Sequence, residues 1–385
     1  MFSSRLQSAT AIPIGKARTA SLLLANRFEA DVVRREGVVN GVFGPEQALG
    51  RRYGASANVV RQALRVLEAR RIGSMRRGAG GGLVIRVPTV HETAHMIALY
   101  LDAIDADPGD VANARSLLSQ QLSDRDAATR HAATDLLDAI EQAIEAPSLL
   151  RQEDPGNRAL IIARRIIDTA RRKDASGNAR LGTIDELEMQ HSSGRPVLVQ
   201  ALRILEDLEM VAVQRGRHGG FSLRRPTPGA IVRAVYPHFM LRGMPPSAVE
   251  DLIWSINAIN AINATRHGPV RALIPIRTAI QSLPTDRFAS DAFAYQVRIW
   301  RVLADFHAND VLHVLVRTLY YFQVRSGTGA PPPIDAATMR ALHRLTADLV
   351  DRICAGDTAA VTELMAECEA RTRETDPAAE RVPPP

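Results

Sequence analysis

Asn58, Arg61 and Arg65 lie three and four residues apart, a spacing that on a helix gathers an amide and two guanidinium groups on one face. Groups of this kind can reach base edges and phosphate oxygens of a nucleic acid. The opposite face carries Val60, Ala63, Leu64 and Leu67 at i, i+3, i+4 and i+7, and Ser56 stands where a helix N-cap belongs. A helix so patterned docks its apolar stripe on its neighbours and leaves the polar stripe free. Before it, Pro45-Glu46 opens a short helix through Arg52, and Tyr53-Gly54-Ala55 supplies a turn. After it, Ile72 to Met75 and Leu83 to Val87 read as two short strands around a tip, Arg76-Arg77-Gly78-Ala79-Gly80-Gly81-Gly82. Such a tip can lay backbone and arginine against a narrow groove with little steric cost.

The pattern occurs twice. Residues 49–89 lie on residues 187–227 without a gap at a constant offset of 138. Gln-Ala-Leu-Arg-x-Leu-Glu is found at 62–68 and at 200–206, Arg77-Gly78-x-x-Gly81-Gly82 returns as Arg215-Gly216-x-x-Gly219-Gly220, and Arg86-x-Pro88-Thr89 returns as Arg224-x-Pro226-Thr227. Charge follows the repeat: residues 1–89 hold 15 Lys/Arg against 5 Asp/Glu and residues 158–227 hold 13 against 8, although the whole chain is only +6. The remainder is therefore net acidic. Two basic modules that meet a polyanion, joined to regions that do not, is the organisation this implies.

The strings Phe43-Gly44-Pro45-Glu46-x-x-Leu49, Tyr53-Gly54-Ala55-Ser56, Val60-Arg61-Gln62-Ala63-Leu64-x-x-Leu67-Glu68 and Arg76-Arg77-Gly78-x-Gly80-Gly81-Gly82 resemble the winged helix-turn-helix domain of the GntR family of transcription regulators. The second copy resembles it more weakly. The resemblance implies that Gln47, Asn58, Arg61, Arg77 and Gly78 contact DNA, with Ala57 where an arginine is usual. In the second copy Arg195 restores that arginine, Pro196 takes the place of Asn58, and Val199 that of Arg61. Ser56, Arg65, Arg76, Arg203, Arg215, Gly216 and Arg217 complete the expected DNA-facing set. The two copies hold complementary halves of the family's contact set, so a perfectly palindromic target is not expected.

Helical spacing follows each copy: His95 to Ile104, Val111 to Leu122 and Ala127 to Ile144 after the first, then a loop through Pro147 and Asp154-Pro155-Gly156, and a helix from Ala159 to Arg172 that opens the second. Beyond Thr227 the expected helices are Ser247 to Thr265, Pro269 to Leu283, Phe288 to Asp305, Asp310 to Val324, Ala336 to Ile353 and Ala359 to Thr372. This run resembles the all-helical effector domain of FadR-type members, and the shorter block looks like a truncated version of it. The expected fold is mainly α. It comprises two winged helix-turn-helix domains with small β-hairpin wings, at 1–89 and 157–228, and a helical linker region at 90–156. An all-helical C-terminal domain of the effector and dimerisation type, at 229–376, and a disordered tail, at 377–385, complete it. Many FadR-type domains hold a metal through Asp and His, but here Gln296, Trp300, Thr346 and Cys368 stand at the matching positions, so the resemblance implies neither a metal nor another cofactor. His307, His313 and His343 are not at ligand spacing with any carboxylate, and Trp254, Trp300, Tyr320 and Tyr321 read as core.

A chain of 385 residues allows two or three domains. No run approaches the ~20 apolar residues of a membrane helix. With no signal or lipidation pattern at the N-terminus, and Cys354 and Cys368 the only cysteines, a reducing cytoplasm is the expected location. An enzyme is the weakest reading, since no Ser-His-Asp order, Gly-Lys-Ser/Thr phosphate loop, Cys-x-x-Cys pair or strand-ended Gly-x-Gly-x-x-Gly can be placed. The expected partners are double-stranded DNA, a second copy of the chain joined through the C-terminal helices, and a small-molecule effector, with no membrane. The alternative, a helical ligand-sensing or scaffolding protein with degenerate DNA-binding domains, accounts for the C-terminal half only.

Overall fold

The computed structural model describes residues 20–34, 41–145 apart from 77, 79 and 80, 155–173, 179–214, 219–266 apart from 243, a few positions between 273 and 304, 309–326 and 336–374. These fall into two compact units, one drawn from 20–111 and 134–244, the other from 112–133 and 245–374.

The first unit holds the repeat. Its first copy runs α1 (Ala20–Arg34), β1 (Val42–Gly44), α2 (Glu46–Tyr53), α3 (Ala57–Ala69), β2 (Gly73–Arg76), β3 (Gly82–Ile85) and α4 (Val90–Ile104). After α5 (Asp110–Gln121) and α6 (Ala127–Glu145), the second copy runs α7 (Pro155–Lys173), β4 (Arg180–Gly182), α8 (Ile184–His191), α9 (Arg195–Asp207), β5 (Val211–Gln214), β6 (Gly220–Leu223) and α10 (Pro228–Arg242). From β1 to α4 every element reappears with both of its ends displaced by 138 residues. The structural repeat is thus longer than the stretch of sequence identity that betrays it.

Local causes are visible in each element. The Ser56 side chain accepts from the Val59 N–H at 3.4 Å and starts α3, whose Val60, Ala63, Leu64 and Leu67 are all buried. The equivalent α9 has Gly194 at its N-cap and Pro196 in its first turn, where a missing N–H costs nothing. Gly54 closes α2 in the left-handed region, and Ser192 does the same after α8. Each sheet is antiparallel with three strands, in the order β1-β3-β2 and β4-β6-β5. The sequence anticipates only the hairpins; β1 and β4 are three residues long and show no alternation of their own.

Within the first copy, Phe28, Leu49, Leu64, Leu67, Ile72 and Leu83 form one core that joins α1 to the sheet. Between copies, α3 packs on α9, α4 packs on α10, α4 lies against α7, and α10 lies against α1. Exchanging the copies maps this set of contacts onto itself, so the copies are related by a local pseudo-two-fold axis. The expected domain boundaries at 89 and 228 assign α4 and α10 to separate helical regions. Both helices are instead buried in the repeat unit, α4 over residues 92–101 and α10 over residues 229–239. Pro88 and His238 tie them together, with His238 Nδ1 2.8 Å from the Pro88 carbonyl oxygen.

The second unit is helical. α11 (Pro246–Arg266) packs on α12 (Asp310–Ser326), α13 (Ala336–Ala355) and α14 (Thr358–Glu374) around Ala261, Trp300, Leu303, Leu349 and Ile353. Asp251, only 5% exposed, takes Arg125 at 3.3 Å and also pairs with Arg373, while Glu369 takes Arg125 at 2.6 Å. Most of the helices expected at 269–283 and 288–305, and the tail at 377–385, lie outside the described residues. Among the described residues no helix is long and apolar enough to cross a membrane.

Candidate nucleic-acid interface

The N-terminal turn of α3 gathers the first copy's predicted contacts. Gln47 on α2 and Ser56, Asn58 and Arg61 on α3 are all exposed. Arg61 is not idle in the free chain: its Nη2 donates to Glu46 Oε1 at 2.9 Å on the neighbouring helix. Exposed Arg51 and Arg52 extend the basic surface to the end of α2, with Arg52 3.6 Å from Asp31. Sequence reading passes over both, although two adjacent arginines just before the Gly54 turn are a visible signal. At the expected wing, Arg76 ends β2 and is exposed. Gly78 has φ +99° with no atom within 4 Å of an added Cβ, and its carbonyl accepts from the Gly81 N–H at 2.9 Å. Arg77 and, in the second copy, Arg215, Gly216 and Arg217 lie outside the described residues.

The second copy places different chemistry at the same positions. By the offset of 138, Asp185 stands at Gln47, Glu188 at Gly50, Met189 at Arg51 and Gln190 at Arg52. Arg195 is exposed but donates to Asp185 at 2.7 Å and to Glu188 at 3.1 Å, and those hydrogen bonds raise its pKa. A guanidinium held by two carboxylates is a weaker attractor of phosphate than one held by a single carboxylate, as Arg61 is by Glu46. Pro196 is exposed, and Val199 is half-buried.

Arg65 and Arg203 are not on the exposed stripe that the sequence predicts. They occupy equivalent positions and are both half-buried where α3 meets α9; Arg203 Nη2 donates to Gln62 Oε1 at 3.2 Å. Burial, with the like charge of Arg65 beside it, pushes the Arg203 guanidinium down. One turn on, Arg70 is enclosed by Asp207, Glu29 and Asn26. This residue escapes sequence reading altogether, because a lone arginine at a helix end carries no signal of burial.

In the helical unit, Trp300, Thr346 and Cys368, at positions matched to metal ligands, are buried. Trp300 is 6% exposed and meets Trp254 edge-on at 5.5 Å between centroids. Thr346 Oγ1 donates to the Leu342 carbonyl at 2.6 Å, and burial pushes the Cys368 thiol up to about 12. Gln296 and His307 lie outside the described residues. His313 Nδ1 is 2.8 Å from the Ala304 carbonyl oxygen, and its Nε2 lies 2.8 Å from Arg317 Nε, so both ring nitrogens are engaged within the unit. Among the described residues no group of three His, Cys, Asp or Glu side chains could hold a metal. Asn260 on α11 is wholly buried, and among the described residues neither of its amide atoms finds a partner. Nearby Asn257 donates to the Tyr320 hydroxyl at 2.6 Å.

No family model matches the chain, and no curated protein matches it.

Proposed function

We propose that the chain is a sequence-specific DNA-binding transcription regulator in which each repeat is a winged helix-turn-helix domain of GntR-like type. The observation that carries this reading is α3: its apolar stripe is buried against α1 and the sheet, while Asn58 and Arg61 in its first turns and Gln47 beside them are exposed. An exposed helix N-terminus with an amide and a guanidinium in its first turns is what reading a major groove requires. The first copy then supplies most of the sequence reading, and the wings add phosphate contacts. In the helical unit, the buried amide of Asn260 would give a small-molecule effector a polar anchor.

Selection from a random duplex pool, followed by titration at fixed salt, tests this reading. Wild-type protein should retain a defined sequence well above bulk duplex. Arg61→Ala should reduce that preference by roughly 1–3 kcal/mol, and Val199→Ala should leave it nearly unchanged. Retention of no sequence above background would refute the proposal. Equal losses in the two variants would refute the assignment of reading to the first copy. The second reading, a scaffold with degenerate DNA-binding domains, has one observation in its favour, the capture of Arg195 by Asp185 and Glu188, and that observation concerns the second copy alone.

A further inference from the structure

The contact between α3 and α9 is polar on one side of the pseudo-two-fold axis and apolar on the other. Arg70, at the C-terminal end of α3, has a fully buried side chain. Its Nε and Nη2 donate to the two carboxylate oxygens of Asp207, each at 2.8 Å, and its Nη1 donates to Glu29 at 2.7 Å and to Asn26 at 2.9 Å. The repeat offset puts Leu208 where Arg70 stands, Ala69 where Asp207 stands and Ile167 where Glu29 stands. The lock therefore exists once, not twice.

That asymmetry decides which copies can pair. Two first copies brought together in this geometry would bury two Arg70 guanidiniums opposite Ala69, each lacking its Asp207. Two second copies would bury Asp207 opposite Leu208 with no cation. In the first case each guanidinium would keep Glu29 and Asn26 but leave Nε and Nη2 unsatisfied, and in the second each carboxylate would be buried with no cation; both losses are unfavourable, so the unlike pairing is the satisfied one. The contact runs through residues 62–70 and 203–207, and the exposed tips at Asn58 and Arg61 and at Arg195 and Pro196 stand outside it.

We infer that this chain is its own dimer. One chain presents two unlike reading tips at a spacing fixed by the Arg70–Asp207 lock, and binds a single duplex with two unlike half-sites without a second chain. The inference rests on the DNA-binding reading above. The half-site under the first copy meets Gln47, Asn58 and Arg61. The one under the second copy meets Asp185, Pro196 and Val199 at those positions, and its sequence is correspondingly less defined.

The test uses the full-length protein and a duplex it has itself selected from a random pool. The mass of the complex is measured by light scattering over a range of protein excess, and the half-site spacing is then varied one base pair at a time. One chain per duplex, on a non-palindromic site whose affinity falls at least tenfold with one inserted base pair, is the expected result. Two chains per duplex, or a palindromic site, would overturn the inference while leaving DNA binding intact. Retention of no duplex by the wild type is the different failure, that of the DNA-binding reading itself. The triple variant Glu29→Ile/Arg70→Leu/Asp207→Ala gives each copy the other's residues and so makes the lock apolar on both sides. It should fold, as judged by its melt, but lose its choice of partner, forming concentration-dependent dimers and accepting the inserted base pair within about threefold of the original site. If that variant does not fold, Asp207→Asn, which keeps the side-chain shape, should relax the spacing preference in the same direction. A folded variant that keeps both the single-chain state and the wild-type spacing preference would overturn the role of the lock.

Discussion

At Gly82 an added Cβ would stand 2.5 Å from the Gly44 carbonyl oxygen, and at Gly220 it would stand 2.6 Å from that of Gly182. Both glycines also have φ near +150°, so the backbone, not merely the space, excludes a side chain. The sequence places Gly82 at the end of a tip that starts at Arg76, whereas in the fold Gly82 begins β3 and lies against the Gly44 backbone of the neighbouring strand. The close approach of Gly82 to Gly44 is invisible along the chain because 38 residues separate them. Gly82→Ala should lower stability by roughly 1–3 kcal/mol, measured as a drop in denaturant midpoint with unchanged slope. A further repeated position is Arg71 and its counterpart Glu209, both in the left-handed region at φ +61° and +57° directly after α3 and α9. The two carry opposite charges and find opposite partners: Arg71 is 3.7 Å from Glu92, and Glu209 takes Arg233 at 2.7 Å. Periodicity reveals Ser56 and the buried stripe of α3, because caps and stripes are local. It does not reveal that Arg61 pairs with Glu46, or Arg195 with Asp185 and Glu188, since ion-pair choice depends on how two helices come to lie side by side.

Between elements, the least legible feature is the exchange that sets α4 on α7 and α10 on α1. Sequence places α4 as a helix but not its partner, because a segment buried on nearly every face has no stripe to say which way it points. The contact between α3 and α9 is hidden for the opposite reason: its decisive groups, Arg70 and Asp207, are of types that usually face water. Arg70→Ala would leave Asp207 and Glu29 buried without their cation. A loss of about 3–5 kcal/mol is expected, seen as a lower melting temperature of the repeat unit, whereas exposed Arg76→Ala should change it by less than about 0.5 kcal/mol. A loss below about 1 kcal/mol for Arg70→Ala would mean that the copies are held by apolar contact alone.

For the molecule as a whole, pH acts through groups buried on folding. Burial, with the Arg242 charge, holds the His238 pKa below its usual 6.5. The unfolded chain therefore binds a proton that the folded one refuses, and stability falls as pH drops below about 6.5. Burial alone would raise the Glu92 carboxyl, yet the Arg86 and Arg71 guanidiniums and the Thr89 N–H hold it below its usual 4.5, so its contribution is present above that value and is lost as pH falls beneath it. The melting temperature should accordingly decline in two stages, the first beginning as pH falls below about 6.5 and the second below 4.5. His238→Asn should flatten the first stage and leave the second. On the proposed DNA-binding function, salt would act through the wings: Arg215→Ala/Arg217→Ala should reduce the slope of log affinity against log salt by up to about two units, at ~0.9 per phosphate contact. An unchanged slope would show that the second wing stays off the duplex. The arrangement also bears on how the chain is made. The helices that cover α4, namely α7 and α10, are encoded later, and the repeat offset is 138 residues. At about 5–20 residues per second, the ribosome takes roughly 7–28 s to deliver the matching part of the second copy. Throughout that interval the nascent first copy exposes the apolar surface of α4 and an Arg70 held by Glu29 and Asn26 but still lacking Asp207, so the first copy cannot complete its burial until its own partner has been translated.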